Sequence, residues 1–389
     1  MKRRAKIRAV VLAAGRGERL RPLTDAVPKP MLPVLGRPVI ERTLESLASL
    51  GCEAVAINLH HLGDKISNHL GDRFGDMPLV YSREETLLGT LGALVKLHDF
   101  LREAEVALVI NGDSLCRWPL KKIVYRHLKG GAKATLLVTR RADPQMFGGG
   151  IILARDGAVG SFGRERGEEE GEASAASDAD GASKVKRRVF AGAQAIDPRV
   201  LDGLPEKPSD TVRDLYRPML ASGERIATVE SSHPWHDLGT PQRYLEGVLD
   251  WARYEGHLHH KRTWTAPRSL CDKTSKLRQA IVEDGARIGA SVRLDRALVF
   301  PGAQVTTGAT VRYSIVGPDT TVPRGAWVER RLVTREPTGR AADEESSVVE
   351  GVIYTPFFKT HDEGSGDIPV DRGLEEEEDE SPPEDGERA

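Results

Sequence analysis

The sequence predicts an α/β fold: a mostly parallel sheet covered on both faces by helices, followed by a smaller parallel β-helix. Two patterns predict it. In the first half, short apolar runs alternate with helical stretches, and repeated β-then-α units build parallel sheets. Towards the end, apolar residues return every six positions beside Gly or Ala. Each coil can then stack its apolar residue on the one below.

Ile7–Ala13 reads as a buried strand and Val39–Leu50 as a helix with Ile40, Leu44 and Leu47 on one face. Ala54–Leu59, Leu79–Ser82, Val106–Ile110 and Ala134–Thr139 follow as strands, with helices at His61–Leu70, Leu91–Leu101 and Leu120–Lys129. Gly148–Leu153 and Val189–Ile196 read as a strand pair. Between them, 164–188 is Gly/Glu/Ala/Ser-rich without apolar periodicity and is expected to be a disordered insert. Thr211–Ala221 reads as a helix, Arg225–Val229 as a strand, and Pro241 to Tyr254 as the last helix. The polar stretch 255–277 is expected as a linker between an α/β domain, 1–254, and a β-helix domain, 278–358. In the β-helix, Val282, Ile288, Leu294 and Phe300 keep the six-residue step, as do Val299, Val305 and Val311, then Val316, Val322 and Val328. The end, 359–389, is expected to be an acidic disordered tail.

Bulk composition removes several function classes. Lys and Arg number 56 against 58 Asp and Glu, a net charge of −2, so nothing global points to a nucleic-acid partner. Cys52, Cys116 and Cys271 lack metal-ligand spacing and disulfide density, and reduced thiols in a cytoplasmic protein are expected. The charged N-terminus leads into an apolar run too short for a signal peptide. No stretch approaches the roughly 18–20 apolar residues of a membrane span, so no membrane partner is expected.

The strongest local signal is Val10–Val34, VVLAAGRGERLRPLTDAVPKPMLPV. Its loop offers backbone amides from Ala13 to Gly17, followed by Arg19 and Lys29, and such loops gather N–H groups and positive charge around phosphates. It is no P-loop, because no Gly-Lys-Ser/Thr follows, and no dinucleotide fingerprint, because Leu20 stands at the third glycine. The turn Asn111–Gly112–Asp113 also ends an apolar strand. Ligands of parallel sheets bind beyond such ends, which allows Gly15 and Gly112–Asp113 to face one crevice.

The string LAAGRGERLRPLTDAVPKPMLPV closely resembles the signature of the nucleotidyltransferases that make NDP-sugars: Gly-x-Gly-x-Arg-Leu-x-Pro-Leu-Thr, then Pro-Lys-Pro. The resemblance continues at Leu88–Leu94, Asn111–Asp113, Phe147–Ile152 and Trp235–Pro241, covering about Ile7 to Tyr254. It implies a Rossmann-like, mostly parallel nucleotidyltransferase domain, and the hexapeptide repeats resemble the left-handed β-helix that many members carry. The implied reaction joins an NTP and a sugar 1-phosphate, giving an NDP-sugar and pyrophosphate with Mg²⁺ as cofactor. NLHHLG, LGTLGAL and the β-helix look most like the mannose-1-phosphate guanylyltransferase branch, which uses GTP; other bases, UTP included, stay open.

Residue by residue, the resemblance implies that Leu12, Ala13, Ala14 and Gly15 pass around the nucleotide, with Gly89, Thr90 and the Gly112 turn lining its pocket. Arg19 would sit on the triphosphate, and Lys29 would contact the α-phosphate and the sugar phosphate. Asp113 and Asp237 would hold Mg²⁺, a hard cation suited to carboxylate oxygens. Gly150 and Gly192 would meet the sugar, and a side chain at Gly89 would block close approach. Bland alternatives stand beside these roles: Asp113 as a turn residue, Asp237 as the cap of the helix at Pro241, and His60–His61 as a helix start.

One departure stands out. Where many members carry Glu-Lys-Pro, with the Lys on the sugar phosphate, this chain has Ser161-Phe162-Gly163-Arg164-Glu165. Arg164, Lys184 or Lys186 could take that part, or the contact is missing. A non-catalytic NDP-sugar-binding regulatory subunit is therefore the alternative of another class. An acyltransferase role is disfavoured, since no His stands between Ile281 and Val333; a homo-oligomer contact through the β-helix is expected instead.

Overall fold

The computed structural model describes residues 5–163, 186–259, 263–336 and 345–357. The expected insert up to residue 185, with Arg164 and Lys184, and the expected acidic tail lie outside them.

Three strands, Ile7–Leu12, Ala54–Leu59 and Val106–Asn111, lie parallel, with Ile7–Leu12 in the middle. Ala54–Leu59 is buried at every position, as a strand covered on both faces must be. Met77–Arg83 extends the sheet on one side. On the other, Lys186–Ile196 pairs antiparallel with both Val106–Asn111 and Ala134–Thr139, and Ile226–Ser231 joins the latter in parallel. The chain leaves Ile7–Leu12 towards one edge and returns to its other side at Val106–Asn111. The switch point of the sheet, where ligands of such folds bind, lies between these two strands.

Helices follow their apolar stripes. Val39–Leu50 buries Ile40, Leu44 and Leu47 and stops at Gly51, whose positive φ lets the Cys52 N–H reach the Leu47 carbonyl at 3.1 Å. The helix expected over Leu91–Leu101 begins earlier and divides into Gly89–Lys96 and His98–Leu101. Two features were not legible: the strand Val159–Phe162, and a small antiparallel pair, Ser114–Cys116 with Trp235–Asp237. The expected insert is also too long at its end, because Lys186–Arg188 belongs to a sheet strand paired with Ile151–Leu153.

The second architecture is a parallel β-helix of three sheets, as expected of the left-handed hexapeptide type. Ile281↔Leu298, Leu298↔Ile315 and Ile315↔Leu332 are successive Cα partners, so one coil takes 17 residues. The steps run six, six and five. That five-residue step corrects Phe300: the axial position belongs to Val299, and Phe300 turns outward against Tyr244, with ring centroids 5.9 Å apart. Left-handed corners recur with the coil, at Gln279, Arg296, Tyr313 and Arg330. The β-helix also starts before 278. Trp264–Thr265, Leu270–Cys271 and Lys276–Arg278 pair in parallel with the next coil, so most of the expected linker is the first coil. Its polar sequence hid it: Leu270 and Cys271 are both exposed.

The β-helix packs on the α/β part through one continuous apolar cluster. Ile281, Leu298, Ile315 and Leu332 face the helix Pro241–Tyr254 and, beyond it, Leu20, Leu23, Leu32 and Val34 of the signature stretch. Tyr244 Oη donates to the Pro33 carbonyl at 2.5 Å. The signature is thus pinned from behind by the β-helix. No described helix is long and apolar enough to cross a membrane. All three cysteines are free, and burial pushes the Cys52 and Cys116 thiols up to about 12, well away from reactivity.

Candidate active site

Two cavities open at the carboxyl ends of the central strands. The smaller, about 310 Å³, is lined by Leu12, Ala13, Ala14, Gly15, Lys29, Gly89, Thr90 and Asp113 among others. The larger, about 640 Å³, is lined by Asp113, Gly150, Trp235 and Asp237 among others, and by Arg217, which was not singled out from the sequence. Both sizes suit small-molecule sites, which run to about 300–1,000 Å³. Asn111 and Asp113 line both cavities, so two ligands could meet there.

A buried polar chain shapes the smaller cavity. The Ala13 N–H donates to Asn58 Oδ1 at 2.7 Å, and Asn58 Nδ2 donates to Glu84 Oε1 at 2.8 Å. Glu84 Oε2 accepts the Leu88 N–H at 2.9 Å, at the start of the Gly89–Lys96 helix. Three segments are thereby locked around one space. Neither Asn58 nor Glu84 was picked out from the sequence; the signal was Asn58, a lone amide in an otherwise apolar strand.

Gly89 differs from its expected reason. It has φ of +71°, and an added Cβ would lie 2.5 Å from the Ser209 carbonyl oxygen, so protein backbone, besides any ligand, demands glycine. The Thr90 hydroxyl meets the Asp210 carboxylate at 3.1 Å and accepts the Thr211 N–H at 2.9 Å. These contacts dock 209–211 on the helix start. Gly112 lines neither cavity as described; its N–H donates to the Leu12 carbonyl at 2.9 Å.

At the junction, Lys29 is almost fully buried between two carboxylates. Its Nζ lies 2.6 Å from Asp113 Oδ2 and 3.6 Å from Asp237 Oδ1. The small strand pair makes this possible, because Asp237 is the Cα partner of Ser114, the neighbour of Asp113. Arg243 Nη1 also reaches Asp237 Oδ2 at 3.0 Å. Asp237 does not cap the following helix: Thr240 does, its Oγ1 accepting the Arg243 N–H at 3.3 Å. Arg19 is exposed and lines neither cavity. A Cβ on Gly239 would lie 2.8 Å from its Nη2 and 2.9 Å from Asp237 Oδ2, which puts Arg19 beside the Asp237 edge.

On the larger cavity, Gly150 has φ of +68° and leaves no room for a Cβ, which would lie 2.5 Å from the Arg188 carbonyl oxygen. Gly192 does not line the cavity and stands against Ser114 and Asn111. Arg217 lines it and donates from Nη2 to the Gly163 carbonyl at 2.8 Å. Lys186 is at the start of its strand and is absent from the lining. Among the described residues, no group of three His, Cys, Asp or Glu side chains gathers as a metal cluster, and His60 and His61 each bond a backbone carbonyl.

The sequence profile of the family described as Nucleotidyl transferase matches residues 8–253. The chain belongs to the nucleotidyl transferase family. This nucleotidyl transferase is 30% identical over 304 residues to the mannose-1-phosphate guanylyltransferase of Mycobacterium tuberculosis (strain ATCC 25618 / H37Rv), covering 75% of this chain and 79% of that protein. It is 28% identical over 245 residues to the mannose-1-phosphate guanylyltransferase catalytic subunit beta of Drosophila pseudoobscura pseudoobscura, covering 62% of this chain and 61% of that one. The chain thus spans about three fifths of the length of that relative. The crystal structure of HddC from Yersinia pseudotuberculosis shares the fold, with a TM-score of 0.51 at 20% identity over 63% of this chain and 99% of that chain.

Proposed function

We propose that this nucleotidyl transferase joins an NTP and a sugar 1-phosphate into an NDP-sugar and pyrophosphate, with GTP and mannose 1-phosphate as substrates. The observation that carries the reading is the meeting of two cavities at Asp113, where a buried lysine lies between two carboxylates. The names of the Mycobacterium and Drosophila relatives support the choice of guanosine and mannose.

In this reading the nucleotide occupies the smaller cavity, with its α-phosphate at the Asp113 end. The sugar 1-phosphate occupies the larger one, and its phosphate oxygen attacks the α-phosphorus in line. A phosphate monoester is itself the nucleophile, so the protein positions and neutralises charge. The Lys29 ammonium neutralises the α-phosphate, and Arg19 stabilises the departing pyrophosphate. On the sugar side, Arg217 takes the part of the missing Glu-Lys-Pro lysine, since its guanidinium suits bidentate contact with phosphate.

Asp113 and Asp237 fit Mg²⁺ in the chemistry of their donors: hard oxygens, in a spot that already holds the Lys29 ammonium. When bound there, Mg²⁺ supplies further charge neutralisation at the phosphates. Two carboxylates leave the waters this ion retains, so a denser cluster is not required. A homo-oligomer formed through the β-helix and a cytoplasmic location complete the reading.

The test is to incubate the protein with each NTP, Mg²⁺ and a panel of sugar 1-phosphates while following pyrophosphate. GTP with mannose 1-phosphate is expected to give the highest rate. Asp113→Ala, Lys29→Ala and Arg19→Ala are each expected to lower kcat/KM by about 10²-fold or more. Silence across the panel together with calorimetric NDP-sugar binding would favour the regulatory alternative instead.

A further inference from the structure

Arg243 stands where a helix least favours a cation. It is the third residue of the helix Pro241–Tyr254, whose first turn carries the positive end of the helix dipole and holds no acidic residue. Thr240 caps that helix, and a Glu or Gln at position 243 would complete a capping box that arginine forgoes. Residues set against their local preference in this way mark places where function overrides stability.

Its contacts lie on the candidate site. Nη1 donates to Asp237 Oδ2 at 3.0 Å, and both side chains are largely shielded from water. The guanidinium lies over the Phe147 ring, 5.2 Å from its centroid, and Phe147 packs on Trp235 with centroids 5.4 Å apart. Phe147, Trp235 and Asp237 all line the larger cavity, whereas Arg243 lines neither cavity. It can therefore act only through its neighbours: the aromatic wall holds the guanidinium, and the guanidinium holds one carboxylate oxygen. With Oδ2 so engaged, Oδ1 is the oxygen turned to Lys29, at 3.6 Å. In charge, Lys29 and Arg243 balance Asp113 and Asp237 one for one.

On the reading above, in which Asp113 and Asp237 hold Mg²⁺, we propose that Arg243 is a positioning residue that aims Asp237 and offsets its charge. The two carboxylates then hold a divalent cation poorly by themselves and well beside the phosphates of a nucleotide. Two consequences have opposite signs. Removing the guanidinium takes a positive charge from beside the carboxylates, so a free divalent cation binds more tightly. It also lets Asp237 turn away from its working geometry, so turnover falls. Damage to the fold would weaken both.

Mn²⁺, a paramagnetic stand-in for Mg²⁺, can be titrated into the full chain without nucleotide and followed by the loss of its free-ion resonance signal. Arg243→Gln is expected to bind Mn²⁺ about tenfold more tightly than the parent. With Mg²⁺, GTP and mannose 1-phosphate its kcat is expected to fall about tenfold at unchanged KM for GTP. Its Tm should not fall, because Gln completes the capping box. Arg243→Lys keeps the charge and should return both the affinity and kcat towards the parent. Should Arg243→Gln fail to fold, Arg243→Met takes its place in both measurements. Mn²⁺ affinity that is unchanged or weaker without the guanidinium, or turnover equal to the parent's, would overturn the proposal. If the parent itself shows no turnover, the proposed reaction falls, and the Mn²⁺ comparison decides the role of Arg243 alone.

Discussion

Asn58 and Lys29 organise the site at the scale of single residues. Asn58 bridges the Ala13 amide and Glu84, so Asn58→Ala leaves two buried polar groups unpaired at once. The expected loss is about 1–3 kcal/mol of stability for each such group, read as a fall in the denaturant midpoint, with weaker nucleotide binding. A variant with unchanged midpoint and unchanged nucleotide affinity would show that the chain of bonds does not shape the cavity. Lys29 tests differently. Lys29→Met is expected to raise the mutual repulsion of Asp113 and Asp237 in the apo protein, and added Mg²⁺ should then raise its Tm more than it raises that of the parent. The residues of the Ala13–Lys29 stretch could be singled out because their types state their chemistry. Asn58 and Glu84 were not, because their meaning lies in contacts made across 26 residues of chain.

Among the elements, the strand pair Ser114–Cys116 with Trp235–Asp237 brings together carboxylates far apart in sequence. Asp113 and Asp237 were each visible in the sequence, but their approach depends on a register between two three-residue strands, too short for any periodicity. The β-helix was legible in kind from its six-residue period. Its first coil was hidden because an end coil can expose residues that inner coils must bury, and Phe300 was misplaced because a five-residue step shifts the register by one. Glu283 gives the interface between the two architectures a pH dependence. Burial raises its carboxyl from 4.5 to about 7, assisted by Asp284 and opposed by the Gly36 and Leu35 amides and by Arg42. Arg37 and Lys65 line a pocket with it, and Tyr244 faces it from the helix Pro241–Tyr254. For an acid raised in the folded state, the stabilisation is complete below about 4.5 and lost as pH rises through about 7. Between pH 5 and 8 the chain is expected to lose stability on the order of 3 kcal/mol from this group, and Glu283→Gln should flatten that slope. Parallel Tm-against-pH curves for the two proteins would contradict the assignment.

For the whole molecule, the β-helix is part of the support of the candidate active site, because one apolar cluster runs from Leu332 through Tyr244 to Leu20 and Leu32. Phe300→Ala, at a fully buried ring against Tyr244, is expected to cost about 3–5 kcal/mol and to lower turnover at temperatures where the fold persists. Full turnover in a stably folded variant would separate the β-helix from the site. The central claim is that two ligands, one in each cavity, react directly across Asp113 without a protein nucleophile. Its most direct measurement is the stereochemistry at phosphorus when guanosine 5′-O-(1-thiotriphosphate) of known configuration reacts with mannose 1-phosphate. A single in-line displacement predicts inversion at the α-phosphorus, whereas retention would reveal a covalent nucleotidyl-enzyme and contradict the account.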